Sequence, residues 1–564
     1  METRTCQNCK QNFVIEPEDF EFYEKIKVPP PTFCPECRNI QRLATRNMKS
    51  LYRRACDKCG ENVVSRFSSS NRARMFCHKC WWAEDWDGIS FGKDYDFSRP
   101  FFEQFNELLF NVPHVSILNS NMVESDYSNM ETDCKKCYLT FGGHYNENCA
   151  FTVYSLYGKE VYDSYWSLHC EQCLGNTSVN HCYRTFFSEQ CGNCIDTFVS
   201  RDCRGCTNII GCAGLRNKQY CIYNRQFSKD DYLKEKSRLN FGSHAELESI
   251  ISKSHEVWLK TPHQYAAMIK TVNCSGNDIF NSKNVINGWN VEESENCKNA
   301  YIAASIKDCY DETSVGNDEL GYMNANGGGL YNCKATLYSF SSDPMNRKSG
   351  FNCEYSYSLV NCNDCFGCAG LRGKRYCILN KQYTEAEYKN LLPKVIEHMR
   401  KAPFVSSANR YIYSYGDFFP AEHSLFAYNE SAAQDFYPTQ GDKALMAGFN
   451  WREEPPTEYK FTDYIIPDDI RDVKDDILNA VLKCEKSGKA YRIIKQELEF
   501  YRSIGLPIPR IAPLERINQR INNLLPFKLW ERTCGKCSKP IQTPYAPDRP
   551  EIVYCESCYQ QEVV

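Results

Sequence analysis

Long apolar runs are missing from this chain of 564 residues. No stretch of about 18 consecutive apolar residues occurs, so the sequence predicts no membrane-spanning helix. The first residues do not form a charged segment followed by an apolar one, so we expect no secretory signal peptide. These absences favour a cytoplasmic protein that binds no membrane.

Several common catalytic motifs are absent as well. The chain has no phosphate loop of the GxxxxGKS/T type, no dinucleotide fingerprint and no HExxH helix. The absence of these motifs favours a protein without enzymatic activity. An enzyme that uses other residues remains open.

Cysteine, in contrast, is abundant, with 34 residues in the chain. In a reducing compartment, CxxC pairs are expected to be thiolate ligands of a metal, and a tetrahedral zinc site needs two such pairs. Pairs 6/9 with 34/37, and 56/59 with 77/80, close the shorter loops, although interleaved pairing stays open. Three structural Zn²⁺ sites are therefore predicted. Their ligands are Cys6, Cys9, Cys34, Cys37, Cys56, Cys59, Cys77, Cys80, Cys534, Cys537, Cys555 and Cys558.

The two terminal modules are related by an offset of 478 residues without a gap. Cys56 maps onto Cys534 in this way, and the other three ligands of the second ribbon map likewise. In the first ribbon only Cys6 keeps a cysteine, Cys484, while Ser487, Ala512 and Glu515 replace the others. We expect a degenerate ribbon that binds no zinc by itself, contains Cys484 as a buried or idle thiol and is held by packing. The expected packing residues are Tyr491, Ile493, Leu498, Phe500 and Tyr501.

Basic residues are concentrated in these modules. Residues 1–83 contain 15 Lys and Arg against 9 Asp and Glu, and residues 479–564 contain 14 against 9. A surplus of positive charge favours an anionic partner such as RNA, although each four-thiolate zinc site removes part of it. Arginines four residues apart share one helix face, which predicts phosphate contacts or a solvated face. These arginines are Arg38, Arg42, Arg46, Arg516 and Arg520.

Between the modules, cysteines recur at intervals that alternate between 12 and 9 residues, as in Cys170, Cys182, Cys191 and Cys203. A fixed period near 21 predicts stacked units, and the short β-rich stretches predict strands. We therefore predict a parallel β-solenoid with about 21 residues per coil and cysteine ladders inside it. The GCAGLR segment at 211–216 recurs at 367–372, so the solenoid is duplicated, with capping helices after each copy.

The inner cysteines leave two interpretations open. Cysteine is small and packs well in a narrow coil, which favours a purely structural role. Metal binding is the alternative, and it has two candidate groups. These are Cys170, Cys173, Cys191 and Cys194, and Cys134, Cys137, His144 and Cys149. His169 and His181, with acids such as Glu171, are expected on different outer faces as the candidates for catalysis.

The predicted fold is mainly β, with zinc-ribbon modules at both termini flanking the duplicated solenoid and a few capping helices. The predicted segments are 1–83 (double zinc-ribbon module), 84–130 (linker with a short helix), 131–236 (first solenoid), 237–273 (helical connector), 274–392 (second solenoid), 393–478 (aromatic-rich segment and acidic linker) and 479–564 (second module).

Several of these motifs occur together in one known family. The CQNC and FCPECR segments, the two GCAGLR segments, FAYNE at 426–430 and YCESC at 554–558 resemble a zinc-ribbon family of candidate-phyla (Patescibacteria) bacteria. Some relatives have a CoA-transferase (caib/baif) label, but this sequence offers no nucleotide or CoA pocket. The resemblance implies a small bacterial genome and a cytoplasmic setting, and it implies no activity.

Taken together, these features favour a non-catalytic zinc scaffold or adaptor that binds RNA, the ribosome or a protein complex through its terminal ribbons. One alternative is a β-solenoid enzyme that acts on a carbohydrate-like polymer. Another is a structural protein that assembles into a homo-oligomer.

Overall fold

The structure is a computed structural model and describes residues 1–339, 350–454 and 457–563. It is mainly β, which confirms the predicted solenoid with cysteine-rich modules at both ends. The chain forms two compact units, and each unit contains two separate segments. Unit 1 contains 1–117 and 266–453, and unit 2 contains 118–265 and 454–564. Each terminal module therefore belongs with the solenoid that is farther from it in sequence.

The solenoid coil has 12 residues, so the predicted coil of about 21 residues is wrong in length. In unit 2, Tyr183 pairs with Ile195, which pairs with Thr207. In unit 1, Tyr301 pairs with Thr313 at the same interval. The cysteine interval of 12 is one full coil, and the interval of 9 is three quarters of a coil. Their sum of 21 is not a structural period.

Each coil has four sides of three residues, and one residue of each side points inward. The residue before each inward position has a positive φ, for example 49° at His181 before Cys182 and 53° at Asn193 before Cys194. The left-handed conformation is unfavourable for most side chains, so the stacked ladders must stabilise it repeatedly. The interior is narrow, and small residues fill it. The inner cysteines of unit 2 are Cys134, Cys137, Cys149, Cys170, Cys173, Cys182, Cys191, Cys194, Cys203, Cys206, Cys212 and Cys221.

Unit 2 contains the first solenoid and the C-terminal module. Its solenoid strands are Asn119–Ser120, Glu131–Thr132, Tyr138–Phe141, Ala150–Leu156, Lys159–Tyr162, Tyr165–Leu168, Glu171–Leu174, Thr177–Asn180, Tyr183–Phe186, Ile195–Phe198, Thr207–Ile210, Gln219–Ile222 and Arg225–Gln226. Its helices are Lys229–Lys236, His244–Lys260, Lys495–Ile504, Pro513–Asn522 and Glu556–Val563, with 3-10 turns at Ile470–Asp472 and Asp475–Asn479. The remaining strands are His263–Gln264, Leu482–Lys483, Ala490–Tyr491, Trp530–Thr533, Pro540–Thr543 and Val553–Tyr554.

Unit 1 contains the N-terminal module and the second solenoid. Its solenoid strands are Met268–Ile269, Gly276–Phe280, Lys283–Ile286, Gly288–Glu292, Glu295–Lys298, Tyr301–Ala304, Thr313–Gly316, Ala325–Gly328, Leu330–Tyr331, Lys334–Leu337, Gly350–Phe351, Glu354–Tyr357, Asn363–Phe366, Arg375–Ile378 and Lys381–Gln382. One step of this ladder is longer, because Lys334 pairs with Glu354.

The other elements of unit 1 surround this solenoid. The helices are Pro17–Lys25, Pro35–Ala44, His78–Trp82, Phe101–Asn111, Glu385–Lys401, Ala432–Phe436 and Gly441–Met446, with 3-10 turns at Gly88–Phe91, Ala421–His423 and Tyr428–Glu430. The remaining strands are Glu2–Thr5, Asn12–Ile15, Tyr52–Ala55, Asn62–Ser65, Met75–Phe76, His114–Val115, Phe404–Val405 and Ile412–Tyr413.

The two units attach their ribbon modules in the same way. In unit 1 the Met75–Phe76 strand pairs in parallel with His114–Val115. In unit 2 the Val553–Tyr554 strand pairs in parallel with His263–Gln264. Each short ladder joins a strand of a cysteine ribbon to a strand that follows a helix of the same unit.

Candidate metal centres

Three groups of four cysteines come together in the structure. Within each group all four Sγ atoms lie within 4.8 Å of one another, and the groups are Cys6, Cys9, Cys34 and Cys37; Cys56, Cys59, Cys77 and Cys80; and Cys534, Cys537, Cys555 and Cys558. The pairing is therefore the sequential one, not the interleaved alternative. All 34 cysteines are free thiols, and no sulfur is lost to a disulfide.

The spacing of the sulfurs suits a tetrahedral ion. A tetrahedron with metal–sulfur bonds of about 2.3 Å has sulfur–sulfur edges of about 3.8 Å. The Sγ atoms of Cys9 and Cys34 are 3.7 Å apart, and those of Cys59 and Cys77 are 3.8 Å apart. Cys537 and Cys555 are also 3.8 Å apart. One sulfur–sulfur edge of each group thus has the length that a tetrahedral ion requires, and the other sulfurs lie close enough to complete the site.

Local backbone geometry aims the sulfurs at a common point. The N–H of Cys34 donates to the Sγ of Cys6 at 3.3 Å, and that of Cys77 donates to Cys56 at 3.2 Å. The same bond joins Cys555 to Cys534 at 3.3 Å. Such N–H donors stabilise a thiolate, because they favour its charged form.

In the second ribbon of each module, the first cysteine therefore ionises more readily than an ordinary thiol. Burial raises the pKa of Cys56, but backbone N–H groups, those of Cys59 and Cys77 first, lower it to about 7. For Cys534 the same opposition gives a pKa of about 6. In each tetrad three cysteines are buried and the second is exposed. Four protein sulfurs complete a tetrahedral shell, so these are closed sites of the structural type, with no position for a substrate.

The degenerate ribbon keeps its shape without four sulfurs. The N–H of Ala512 donates to the Sγ of Cys484 at 3.3 Å, which is the bond that Cys34 makes to Cys6 in the complete ribbon. Cys484 is buried, as are the five expected packing residues Tyr491, Ile493, Leu498, Phe500 and Tyr501. Among the described residues, the metal-type groups number three, and Glu515 and Ser487 belong to none of them.

The arginines suggested for phosphate contact lie against the solenoid of their own unit. Arg38 pairs with Asp311 at 2.9 Å, and the Nε of Arg42 donates to the Thr313 hydroxyl at 2.8 Å. Arg46 donates to the side chain of Asn326. These three arginines are buried. Phosphate contact by these side chains stays a prediction, and their burial does not favour it.

Unit 2 repeats this attachment. Arg516 is buried and pairs with Asp163 and with Glu497, both at 2.8 Å. Arg520 is half-buried beside the backbone of Gly175. Asp163 and Asp311 occupy equivalent places in the two solenoids, 148 residues apart. Sequence reasoning missed these two aspartates, although the 148-residue offset of the early coils could have indicated them.

The inner cysteines act as packing residues. The Cys194 thiol donates to the carbonyls of Gly192 and Cys203, both at 3.3 Å, and its neighbours follow the same pattern. In the described part of the chain no inner group brings three metal-type ligands together. His144 is exposed while Cys134, Cys137 and Cys149 point into the coil, so these four residues do not converge.

The remaining catalytic candidates do not form an active site in the described structure. His169 and His181 lie on one face, not on different faces, because they are one coil apart, and their rings stack at 4.8 Å. Glu171 pairs with Lys159 at 3.1 Å.

Residues 88–92 spell GxSxG, but the Ser90 hydroxyl donates to the carbonyl of Asp87 within a 3-10 turn, not on a strand-to-helix elbow.

The GCAGLR loops use their arginines for structure. Arg216 pairs with Asp202 at 2.9 Å, and Arg372 donates to the carbonyls of Trp81 and Trp86 at 3.0 and 2.9 Å. Gly211 and Gly367 both have positive φ, 64° and 63°. A side chain at either position would also meet an aromatic ring, of Tyr223 or Phe101. The glycines therefore close the final coils.

Comparison with known proteins gave no further guide to function. No protein-family model matches the sequence, and no curated protein matches it. None of the described helices has the length and apolar character that a bilayer crossing requires.

Proposed function

We propose that this protein is a non-catalytic zinc scaffold whose terminal ribbons bind a macromolecular partner. The observation that carries this proposal is the closed four-sulfur site, which occurs three times in two terminal modules, each attached to the solenoid of its unit by a buried arginine–aspartate pair. Closed sites stabilise a fold without offering a reactive position, and solenoids present long, rigid surfaces. The combination supports a docking role.

Zn²⁺ is the ion that we propose for all three sites. Four thiolates in tetrahedral arrangement are typical of structural zinc, and the sulfur–sulfur distances of 3.7 to 3.8 Å fit its bond length. When bound, the ion would link the two knuckles of each ribbon. Metal analysis of protein purified without added metal should give about three zinc ions per chain, and another bound metal would contradict this assignment.

RNA, alone or in the ribosome, is the partner that we propose, in the cytoplasm of a bacterium. The support is a set of three exposed basic residues in the segment of the second ribbon, Arg72, Arg74 and Lys79. Arg72 lies over the ring of Phe110 at 5.0 Å, and Arg74 over Phe91 at 5.8 Å. Guanidinium groups held on aromatic rings are pre-organised for phosphates or bases. A protein complex with an acidic surface is the alternative partner.

Binding to RNA can be measured by filter retention over a range of salt concentrations. We expect micromolar or tighter affinity that falls as salt rises, because phosphate contacts release counterions. Replacing Arg72, Arg74 and Lys79 by glutamine should weaken binding about tenfold and flatten the salt dependence. The matched control replaces Lys229, Lys234 and Lys253, three exposed lysines on helices of unit 2.

The control variant loses the same charge and should bind like the wild type. Equal loss in both triple variants would indicate nonspecific attraction and contradict a ribbon site. If the wild type binds no RNA, but retains an acidic protein in a salt-dependent manner, then the alternative partner replaces RNA in this proposal.

A further inference from the structure

Arg66, in unit 1, is buried in an unusual way. Its side chain has 0 % exposure, and none of its three guanidinium nitrogens has a hydrogen-bond partner within the described structure. Its backbone is fully engaged, since its N–H donates to Ser116 and its carbonyl accepts from Asn47. Burying an unpaired cation costs several kcal/mol, so such a group normally has an anion beside it.

Aromatic rings surround the guanidinium. Its central carbon lies 4.5 Å from the ring centre of Tyr338, 5.1 Å from that of Phe67 and 5.5 Å from that of Phe426. Contacts of this kind offset part of the desolvation of a cation. They engage the faces of the group and leave its N–H donors, which lie in the plane, unsatisfied.

Unit 2 shows that the fold does not require an arginine at this position. With the offset of 478, Arg66 corresponds to Pro544 and Phe67 to Tyr545. Tyr545 stacks beside His263 at 5.7 Å, and Phe67 lies beside His114 at 5.8 Å. The surrounding architecture is therefore the same with and without the arginine.

Unit 2 also has a carboxylate at a position where the described part of unit 1 has none. Its solenoid places Arg201 at the position that Tyr357 occupies in unit 1, 156 residues later. Arg201 has its own carboxylate, Glu189 on the preceding coil, at 3.7 Å. Leu337, which pairs with Tyr357 in the ladder, replaces Glu189 in unit 1. Unit 2 thus supplies a cation together with its anion, whereas the described residues of unit 1 supply only the cation.

A second unsatisfied donor lies in the same part of unit 1. Burial raises the pKa of the Tyr357 hydroxyl and the adjacent Arg66 guanidinium opposes that rise, yet no hydrogen bond of normal geometry satisfies this hydroxyl within the described residues. The centre of the Tyr357 ring lies 5.2 Å from that of the tilted Tyr338 ring and 5.1 Å from that of His114, which it meets edge to face. His114 uses its Nε2 on the carbonyl of Leu109 at 2.7 Å, so the imidazole is already oriented. Two buried donor groups, one of them charged, are the recognition chemistry of a small anion.

We propose that Arg66 and Tyr357 bind one small monovalent anion of the halide class inside unit 1. The anion takes the place of the carboxylate that Glu189 provides in unit 2. It accepts hydrogen bonds from the guanidinium N–H groups and from the phenol. This site is separate from the zinc ribbons and does not depend on the proposed RNA partner.

Thermal unfolding of the full-length, zinc-loaded protein tests this site. Sodium chloride and sodium gluconate are compared at equal ionic strength. We expect a saturable rise in the unfolding midpoint with chloride and none with gluconate, because a ligand that binds only the folded state stabilises it. Crystals grown in sodium bromide should show an anomalous peak beside the Arg66 guanidinium.

Three variants sharpen the test. Arg66→Met removes the cation, and Leu337→Glu restores a carboxylate at the position of Glu189, so both should lose the chloride effect. Arg72→Met removes an exposed arginine of the same ribbon and should keep it. If Arg66→Met does not fold, the bromide position in the wild type decides. A chloride-independent midpoint, or bromide found only at other places, overturns the proposal.

Discussion

The first ribbon of the N-terminal module and the degenerate ribbon of the C-terminal module share one backbone but differ in their sulfurs. Both contain two helices, Pro17–Lys25 and Pro35–Ala44 in one, and Lys495–Ile504 and Pro513–Asn522 in the other. The N–H to sulfur bond is 3.3 Å long in each. The complete ribbon has four sulfurs and the degenerate ribbon has one, so the shape does not require the metal.

The contacts around the helices explain how the metal could be lost. Asp19 of the complete ribbon pairs with Lys298 of the solenoid at 2.7 Å. Its equivalent, Glu497, instead pairs with Arg516, which therefore has two carboxylates where Arg38 has one. Paired buried charges and aromatic packing hold the degenerate ribbon in place. Metal is one way to fix a ribbon, and attachment to a rigid wall is another.

Replacing one cysteine in each of these two ribbons should give the largest difference between them, and the difference should appear in the zinc content. We expect Cys37→Ser to lower the zinc content from about three to about two ions per chain, because a structural zinc site needs four protein ligands and this variant leaves three sulfurs. Cys484→Ser should leave the zinc content unchanged. Elemental analysis after gel filtration measures both. A zinc loss in Cys484→Ser would contradict the interpretation of that ribbon.

Restoring the three missing cysteines should give the degenerate ribbon a metal site of its own. The triple variant Ser487→Cys, Ala512→Cys and Glu515→Cys rebuilds a tetrad around Cys484 on a backbone that still has the ribbon geometry. We expect about one additional zinc ion per chain, with affinity comparable to that of the first ribbon. Competition with a chromogenic chelator measures this affinity. The double variant without Ser487→Cys is the control and should bind the extra ion more weakly.

Breaking the attachment of the degenerate ribbon should be the next largest effect. Arg516→Met leaves Asp163 and Glu497 buried without their cation, which costs about 3–5 kcal/mol. Arg502→Met removes an exposed pair with Asp475 and should cost about 1 kcal/mol or less. Urea denaturation followed by circular dichroism compares the two. Equal small effects would contradict a supporting role for the buried pair.

Acidic groups inside the second solenoid should make unit 1 sensitive to pH. Burial raises the pKa of Asp318 to about 7, and burial and then the charge of Asp318 raise that of Glu312. A raised carboxyl pKa stabilises the fold below about pH 4, where aspartate is protonated when unfolded, and this stability is lost as pH rises through 7. The effect is at most about 4 kcal/mol for Asp318.

Urea midpoints between pH 5 and 9 test this dependence. The wild-type midpoint should fall as the pH rises, and Asp318→Asn should fall less. The equivalent positions of the first solenoid are Ser164 and Cys170, which have no carboxyl group. Identical pH profiles of wild type and Asp318→Asn would contradict the assignment.

Replacing a cysteine inside the solenoid should have the smallest effect of these changes. Cys194→Ala removes a buried thiol and its two weak hydrogen bonds, so we expect a loss of about 1–2 kcal/mol and no change in zinc content. Val179→Ala, at another inward position of the same core, is the matched control and should cost a similar amount. A drop in zinc content for Cys194→Ala would indicate metal inside the solenoid.

Sequence alone predicted what local spacing determines. The CxxC pairs lie within short loops, so the grouping of Cys56 and Cys59 with Cys77 and Cys80 follows from chain connectivity. The solenoid followed from the repeated intervals. The coil length of the solenoid could not be read from these intervals. Inward residues recur at every third position, and cysteine occupies only some of those positions. Intervals of 12 and 9 residues could therefore be added into a false period.

The long-range contacts could not be predicted from any local sequence pattern. Arg42 and Thr313 are 271 residues apart, and nothing near Arg42 indicates a solenoid partner. A stripe of arginines looks the same in sequence whether it faces phosphate, water or a buried aspartate. Only the duplication carried a signal, since Arg38 and Arg516 recur with Asp311 and Asp163.

The interleaved order of the two units has a consequence during translation. A ribosome that adds about 5–20 residues per second needs roughly 15 to 50 s between making Arg42 and making Thr313, which are 271 residues apart. Throughout that interval the solenoid of unit 1 is incomplete, so the nascent first module cannot pack against it. The two early tetrads need only residues 6–80, so a bound metal ion could shape both ribbons before their solenoid is made. The degenerate ribbon, in contrast, is synthesised after the solenoid that supports it.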